Sequence, residues 1–272
     1  MKGPLLTLKV HDALLAAARA GASAVECSLD LGRSKTTVEV DAAGWTWQGH
    51  RYPYLASCKD RTVYYWTDTA FEPVARYSTG LYKLVPTHWG PPTFEIDGIK
   101  MLPTAHVSPY ADAERKAGLI EPQGKVILDT CGGLGYYAAC CLQGRAKQVL
   151  SYEKTAAVIW LRSLNPWSPE VGSGLTLTHG DISKHILTLP ANSLDAILHD
   201  PPRFGIAGEL YSQVFYDQLA RVLKRRGKLF HYTGTPNKLT SGRDVPNEVV
   251  KRLRQAGFVA AINGDGILAV KK

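Results

Sequence analysis

The sequence predicts an α/β chain: a doubly wound, mainly parallel sheet preceded by a small, mostly antiparallel β module. Three observations carry this. Beyond residue 100, short apolar runs of strand character alternate with helical ones, which within one sheet implies right-handed βαβ crossovers. One strand, Lys125-Val-Ile-Leu-Asp129, runs straight into a glycine-rich turn, Thr130-Cys-Gly-Gly-Leu-Gly135. A later apolar run, residues 194–198, stops at His199-Asp200-Pro201-Pro202-Arg203-Phe204. A carboxylate and two prolines there set polar backbone and an acid at the carboxyl edge of the sheet, where open α/β folds bind ligands.

The first hundred residues form the smaller module. A short helix over 10–19 precedes alternating segments at 24–31, 35–40, 44–48, 63–67 and 93–96, separated by turn signals such as Gly32-Arg-Ser34 and Asp97-Gly98. Trp45, Trp47, Trp66 and several tyrosines supply its apolar bulk; aromatics on a β surface serve either as core or as stacking platforms for unpaired bases. The proline-rich stretch 86–92 and the strand after it read as the junction, so the expected domains are 1–100 and 101–272.

In the second domain an irregular approach over 103–110 leads to a helix at 111–119. Strand 126–129, helix 135–143, strand 148–153, helix 155–164, strand 175–179 and short helix 182–187 follow. Strand 194–199, helix 208–224, strand 228–232, helix 244–256 and a terminal strand pair near 258–262 and 266–271 complete the alternation. No internal repeat or low-complexity tract interrupts it.

No apolar run approaches the roughly 20 residues that cross a bilayer, and Met1-Lys2-Gly3-Pro4 is not followed by a signal-peptide cleavage pattern, so a cytoplasmic protein is expected. The five cysteines form no C-x-x-C pair and lie near no histidine cluster, which argues against a metal site and for reduced thiols. Net charge is +8 and unevenly spread: residues 1–100 carry 11 basic against 10 acidic side chains, residues 101–272 carry 21 against 14. The excess gathers at Lys224-Arg225-Arg226-Gly227-Lys228, at Lys238 and Arg243, and at Lys251-Arg252 with Arg254. Basic groups beside an active site suit a polyanion such as RNA, although cations also favour helix ends, and Lys224 to Arg226 close the predicted helix.

Four acids fall at the ends of successive strands: Asp129, Glu153, Asp181 and Asp200. An acid after the second strand can accept both ribose hydroxyls, and one after the third can take an adenine amino group. Gly132, Gly133 and Gly135 let backbone approach a ligand. A dinucleotide enzyme also places an acid after its second strand, but Gly-Gly-Leu-Gly-Tyr-Tyr is not G-x-G-x-x-G, and Asp129 would repel a pyrophosphate. A cationic sulfonium tolerates it, which favours S-adenosylmethionine over NAD.

Asp-Thr-Cys-Gly-Gly-Leu-Gly, Tyr-Glu-Lys, His-Gly-Asp and Asp-Pro-Pro resemble, in order, the first four motifs of class I S-adenosylmethionine-dependent methyltransferases, over roughly residues 103–272. With Gly208-Glu-Leu-Tyr-Ser, Arg221-Val-Leu-Lys and Leu229-Phe-His-Tyr-Thr-Gly, the His-Asp-Pro-Pro-Arg-Phe step resembles more closely a largely archaeal methyltransferase family with an added N-terminal domain. The resemblance implies a Rossmann-like fold, cofactor contacts at Asp129, Thr130, Gly133, Gly135, Glu153, Lys154, Asp181, Ile182 and Asp200, and a catalytic step at Asp200, Pro201, Pro202 and Arg203. In amino-methyltransferases an aromatic follows the second proline and stacks on the flipped base. Here Arg203 stands in that position, so the stacking role falls either to its guanidinium plane or to Phe204.

An exocyclic amine on cytosine or adenine is a poor nucleophile because its lone pair is delocalised into the ring. Two acceptors, the Asp200 carboxylate and the Pro201 carbonyl, can hold its hydrogens and aim the lone pair at the methyl group. Methylation at carbon would need a nucleophilic cysteine by the fourth motif, and Cys131 in the glycine turn reads as filler. His199 reads equally as packed or catalytic, while His231 and Tyr232 are candidates for lining a base pocket. The expectation is therefore an RNA methyltransferase acting on an exocyclic amino nitrogen, cytosine N4 of ribosomal RNA first, then tRNA or adenine N6, with the β module holding the RNA. Tyr211-Ser-x-x-Phe215-Tyr also resembles spermidine synthases, giving a small-amine alternative, and a non-catalytic RNA-binding scaffold is a third.

Overall fold

The computed structural model describes residues 3–234 and 244–272; Met1, Lys2, Lys238 and Arg243, which the sequence reading used, lie outside them. The chain divides into two compact units, the first running to residue 111 and including Trp160–Trp167, the second comprising Asp112–Ile159 and Ser168–Lys272.

The first unit holds three antiparallel sheets. β1 (Leu5–Leu6), β6 (Tyr64–Trp66) and β7 (Phe71–Pro73) make one, and β2 (Ala24–Cys27), β3 (Thr36–Asp41), β4 (Gly44–Trp47) and β5 (His50–Tyr52) the second. β8 (Ala75–Tyr77), β9 (Leu81–Thr87), β10 (Gly90–Ile96) and β11 (Ile99–Lys100) make the third. Helix α1 (Leu8–Arg19) opens on Thr7, whose hydroxyl accepts from the Val10 amide, and contributes buried Leu14 to the core. Trp45 is fully buried, stacked on Tyr52 at 4.5 Å and Phe71 at 5.9 Å, with Trp66 edge-on to both; Trp47 packs against the same cluster. Trp45 is therefore core, and Trp47 and Trp66 pack against that core while staying partly exposed.

The stretch 86–92 is no junction. Pro86 lies in β9, and Pro91 and Pro92 lie in β10, where the register shifts between Gly90 and Thr93. A proline lacks the donor a regular ladder requires, and an irregular register accommodates it.

The second unit is a seven-stranded sheet. Its strands in chain order are β12 (Val126–Asp129), β13 (Gln148–Glu153), β14 (Leu175–His179), β15 (Leu194–His199), β16 (Leu223–Tyr232), β17 (Phe258–Asn263) and β18 (Gly266–Lys271), arranged 14-13-12-15-16-18-17. β12 to β16 pair in parallel, while β18 runs antiparallel between β16 and β17. Central strands covered on both faces read as unbroken apolar runs, and Ile127, Leu128, Ile197 and Leu198 are all buried, each worth about 1.5–3 kcal/mol.

Helices α2 (Pro109–Leu119), α3 (Tyr136–Gln143), α4 (Ala156–Leu164), α5 (Ile182–His185), α6 (Gln213–Val222) and α7 (Val245–Gln255) intervene. The strand order turns back between β12 and β15, so the crevice at their carboxyl ends is the topological switch point.

The predicted helix 208–224 is instead a 3-10 turn, Gly208–Tyr211, followed by α6, which ends at Val222. Lys224, Arg225 and Arg226 thus stand in the irregular lead-in of β16, with Arg226 at φ 63°, and do not close a helix. They lie at the amino end of β16, the edge opposite the switch point. Lys224 pairs with Asp195 at 2.7 Å and Lys228 with Glu121 at 2.6 Å.

Candidate active site

Parallel pairing sets the carboxyl ends of β12, β13, β14 and β15 along one edge. Asp129 lies opposite Ser151 and Leu198, and Glu153 opposite His179. Asp129 is buried and accepts from the Ser151 hydroxyl at 2.8 Å.

The glycine turn leaves β12 with Gly133 and Gly135 at φ 49° and 82°, a region that favours glycine, and Gly135 caps α3. Glu153 closes the mouth of this turn: one carboxylate oxygen accepts the Gly133 amide at 3.0 Å, the other the Thr155 amide at 2.8 Å. Asp181 caps α5 through Ser183 and pairs with Lys154 at 2.9 Å. Burial opposes its charge, but the Lys154 and Ser183 hydrogen bonds outweigh that and hold its carboxyl below the usual range. Ile182 is buried beneath it.

Thr130 joins two strands. It is buried, its amide reaches the Leu198 carbonyl at 3.1 Å, and its hydroxyl lies 2.7 Å from His199 Nδ1. It ties β12 to β15. His199 Nε2 lies 3.1 Å from the Leu210 carbonyl, which can only accept, so Nε2 carries the hydrogen and Nδ1 accepts from Thr130. Burial pushes the His199 imidazole down to about 4, so it is neutral and packed.

His231 is likewise enclosed. Its Nδ1 donates to the Tyr232 carbonyl at 2.9 Å and its Nε2 accepts from the Tyr216 hydroxyl at 3.0 Å, which leaves no ring nitrogen for a substrate. Burial of the Cys131 thiol pushes it far up, against a nucleophilic role.

Beyond β15, Pro201 is buried while Pro202 and Arg203 are exposed. Phe204 is half-buried and edge-on to Tyr211 at 5.5 Å, and Tyr211 donates to the Pro202 carbonyl at 3.1 Å. Asp200 accepts from the Tyr137 hydroxyl at 2.8 Å. Burial raises the Asp200 carboxyl; Lys116 and the Tyr137 hydrogen bond pull against it, and Asp112 and Asp265 add to it. Tyr137 is itself driven far up by burial and by Asp200, so it remains a donor.

Sequence reasoning missed a buried charged cluster on α2. Lys116, its side chain 2% exposed, pairs with Asp112 at 2.7 Å and Asp265 at 3.3 Å and sits 3.9 Å over the Tyr232 ring. Arg115 reaches Asp112 at 3.0 Å and Asp265 at 2.8 Å. A signal existed: Asp112 and Lys116 are four apart and interleave with Ala113, Ala117 and Ile120, so a charged pair shares the buried stripe of α2. Among the described residues no group of three or more His, Cys, Asp or Glu could hold a metal ion, and no helix is long and apolar enough to cross a membrane.

This architecture is a Rossmann-like, doubly wound α/β fold. A spermidine synthase crystallised with the transition-state analogue AdoDATO is similar at TM-score 0.59 and 16% identity, covering 73% of each chain. Spermidine synthase from Thermotoga maritima is similar at TM-score 0.56 and 16% identity, covering 73% of this chain and 72% of that one. No family model matches the sequence. The chain belongs to the family of an uncharacterized protein of Methanocaldococcus jannaschii, with which it is 41% identical over 214 residues, 77% of this chain and 73% of the relative.

Proposed function

We propose that this protein is an S-adenosylmethionine-dependent N-methyltransferase whose acceptor is an exocyclic amine of RNA, cytosine N4 of ribosomal RNA in its most specific form. The observation that carries the reaction class is the Asp200–Tyr137 pair at the carboxyl end of β15, across the switch point from the glycine turn. Asp129, Glu153 and Asp181 on adjacent strand ends fit an adenosine-bearing cation, with Glu153 fixed by two backbone amides for ribose hydroxyls. Bound there, the cofactor supplies an electrophilic methyl group on sulfur.

Tyr137 holds one Asp200 oxygen, which leaves the other and the Pro201 carbonyl to accept the two hydrogens of the amine. A carbon–nitrogen bond forms as the carbon–sulfur bond breaks, and the amine gives up one proton. Burial raises the proton affinity of Asp200, which suits it to receive that proton. Tyr232 and either Arg203 or Phe204 then line the base pocket, and residues 1–100 hold the RNA while residues 101–272 act on it.

A second reading rests on charge. Among the described residues, Asp112 and Asp265 pair with Lys116 and Arg115, the Asp200 carboxylate accepts from Tyr137, and the Lys224–Lys228 cluster is at the far edge of the sheet. An acid-rich site of this kind also suits a small amine, and the two similar solved structures above are spermidine synthases. Mass spectrometry of nucleosides from the RNA of a deletion strain decides between them. Loss of one methylated nucleoside supports the RNA reading; an unchanged nucleoside profile with alkylation of a polyamine by the purified protein replaces it.

A further inference from the structure

We propose that Lys116 is a specificity determinant of the acceptor site: its ammonium fills a carboxylate cradle at the strand ends beside Asp200, which closes that place to cationic alkylamines and leaves the neutral amine of a flat ring as the acceptor. The inference rests on the reading of Asp200 as the amine-orienting group, and it names the class of amine that the site admits.

Strand register places the parts. His199 lies opposite His231 in the parallel β15–β16 pair, so Asp200 and Tyr232, the next residues, end neighbouring strands. Tyr232 lies opposite Gly266 across the antiparallel β16–β18 pair, and the carbonyl of Asp265, just before it, accepts the Thr233 and Gly234 amides at 3.3 and 3.0 Å. Asp200, Tyr232 and Asp265 thus stand on three adjacent strand ends at one edge of the sheet.

Lys116 reaches this edge from α2. Its Nζ lies 2.7 Å from Asp112, 3.3 Å from Asp265 and 3.9 Å from the centre of the Tyr232 ring, with the side chain 2% exposed. An ammonium removed from water needs such partners, carboxylates and an aromatic face, to replace its hydration. Burial works against its charge, but Asp200, Asp112 and Asp265 hold it above the ordinary lysine value. Arg115 bonds the same two carboxylates, Asp112 at 3.0 Å and Asp265 at 2.8 Å. Two cations therefore neutralise two acids, one for one. A further ammonium arriving at the Tyr232 ring would meet Lys116 as a like charge and find both carboxylates taken.

A protonated alkylamine needs free carboxylates in exchange for its water, whereas the exocyclic amine of a base carries no charge and needs only acceptors. Asp200, which accepts from the Tyr137 hydroxyl at 2.8 Å, and the Pro201 carbonyl supply them. The partly exposed Tyr232 ring beside them, backed by Lys116, offers a flat surface suited to a base.

The test uses the full chain, with spermidine as the cationic probe in calorimetry at low salt. Lys116→Ala removes the propylammonium end of the side chain and leaves two carboxylates with one cation, so spermidine is expected to bind at least about tenfold more tightly than to wild type. That gain is expected to vanish when Asp265→Asn is added to Lys116→Ala. If Lys116→Ala fails to fold, its melting is read in propylammonium chloride against sodium chloride of equal ionic strength, and propylammonium is expected to restore the fold by refilling the cradle. Equal spermidine affinity in wild type and Lys116→Ala, a gain that survives Asp265→Asn, or an unfolded Lys116→Ala that propylammonium does not rescue overturns the proposal. Failure of the methyltransferase reading is separate: absent binding of S-adenosylmethionine to the wild type sinks that reading and leaves the exclusion of cations standing.

Discussion

At the scale of single residues, the mechanism makes a sharp demand on Asp200. Asp200→Ala is expected to lower the single-turnover rate of methyl transfer at least about a hundredfold while cofactor affinity stays nearly intact, because a positioning group is lost and the cofactor's acids are not. Asp200→Asn retains one amide oxygen as acceptor and should keep partial activity. A near wild-type rate in Asp200→Ala would reduce the carboxylate to a strand-end cap.

Glu153→Ala should weaken S-adenosylmethionine binding by about 1.5–3 kcal/mol, the range for hydrogen bonds to a charged group. Calorimetric affinity equal to wild type would remove the ribose assignment. Both residues were legible in the sequence because an apolar strand ending at an acid identifies itself without tertiary knowledge. Tyr137 was not, since a tyrosine after a glycine turn has no local signature of its partner 63 positions on.

His199 gives a residue-level prediction in pH. Folded, it stays neutral down to about pH 4, whereas an unfolded histidine titrates near 6.5. Between those values the unfolded chain takes up the proton, so stability present above 6.5 is lost as pH falls toward 4. The loss is about 3 kcal/mol for this residue, and His231, lowered by burial and by His199, acts in the same direction. Thermal melting of wild type across that window should fall more steeply than that of His199→Asn, and parallel curves would contradict the neutral buried imidazole.

At the scale of elements, the link between β12 and β15 determines whether the glycine turn and the Asp-Pro-Pro step face one crevice. The Thr130 hydroxyl bridges them through His199. Thr130→Val keeps the shape and leaves His199 Nδ1 without its donor, at a cost of about 1–3 kcal/mol. Denaturant unfolding should show a lower midpoint at unchanged slope, and an unchanged midpoint would mean the hydroxyl contributes nothing.

The alternation of strands and helices was readable from residue 126 onward because parallel strands buried on both faces are continuous apolar runs. The third sheet of the first unit was readable only in part. β9 carries Tyr82 and Lys83 beside proline, and β10 begins Gly-Pro-Pro, so local composition argued for a linker where cross-strand pairing made a hairpin. The end of α6 was overrun for a related reason. Val222-Leu-Lys-Arg-Arg has helical propensity, but Leu223 and Lys228 are claimed by pairing with β15.

At the scale of the whole molecule, the distribution of charge separates the two substrate classes. Lys224 and Lys228 are already paired, whereas Arg225, Arg226, Lys251 and Arg254 are exposed. Composition revealed the excess of positive charge but not its side of the sheet, which depends on where β16 begins. If RNA is the substrate, its phosphates must reach these side chains or others, and each contact releases counterions. The affinity should then fall linearly on a log–log plot against salt, with slope near −0.7 per phosphate neutralised on a single strand.

Reversing Arg225 and Arg226 to glutamate tests whether the amino edge takes part. The double variant should weaken RNA binding and flatten the salt slope by about one to two phosphates' worth, with S-adenosylmethionine affinity unchanged, since neither arginine lies at the switch point. An unaltered slope would assign RNA contact to other surfaces. Negligible affinity for RNA even at low salt, together with saturable binding of a polyamine, would transfer the site to a small amine: Asp112, Asp200 and Asp265 would then attract the cationic substrate itself.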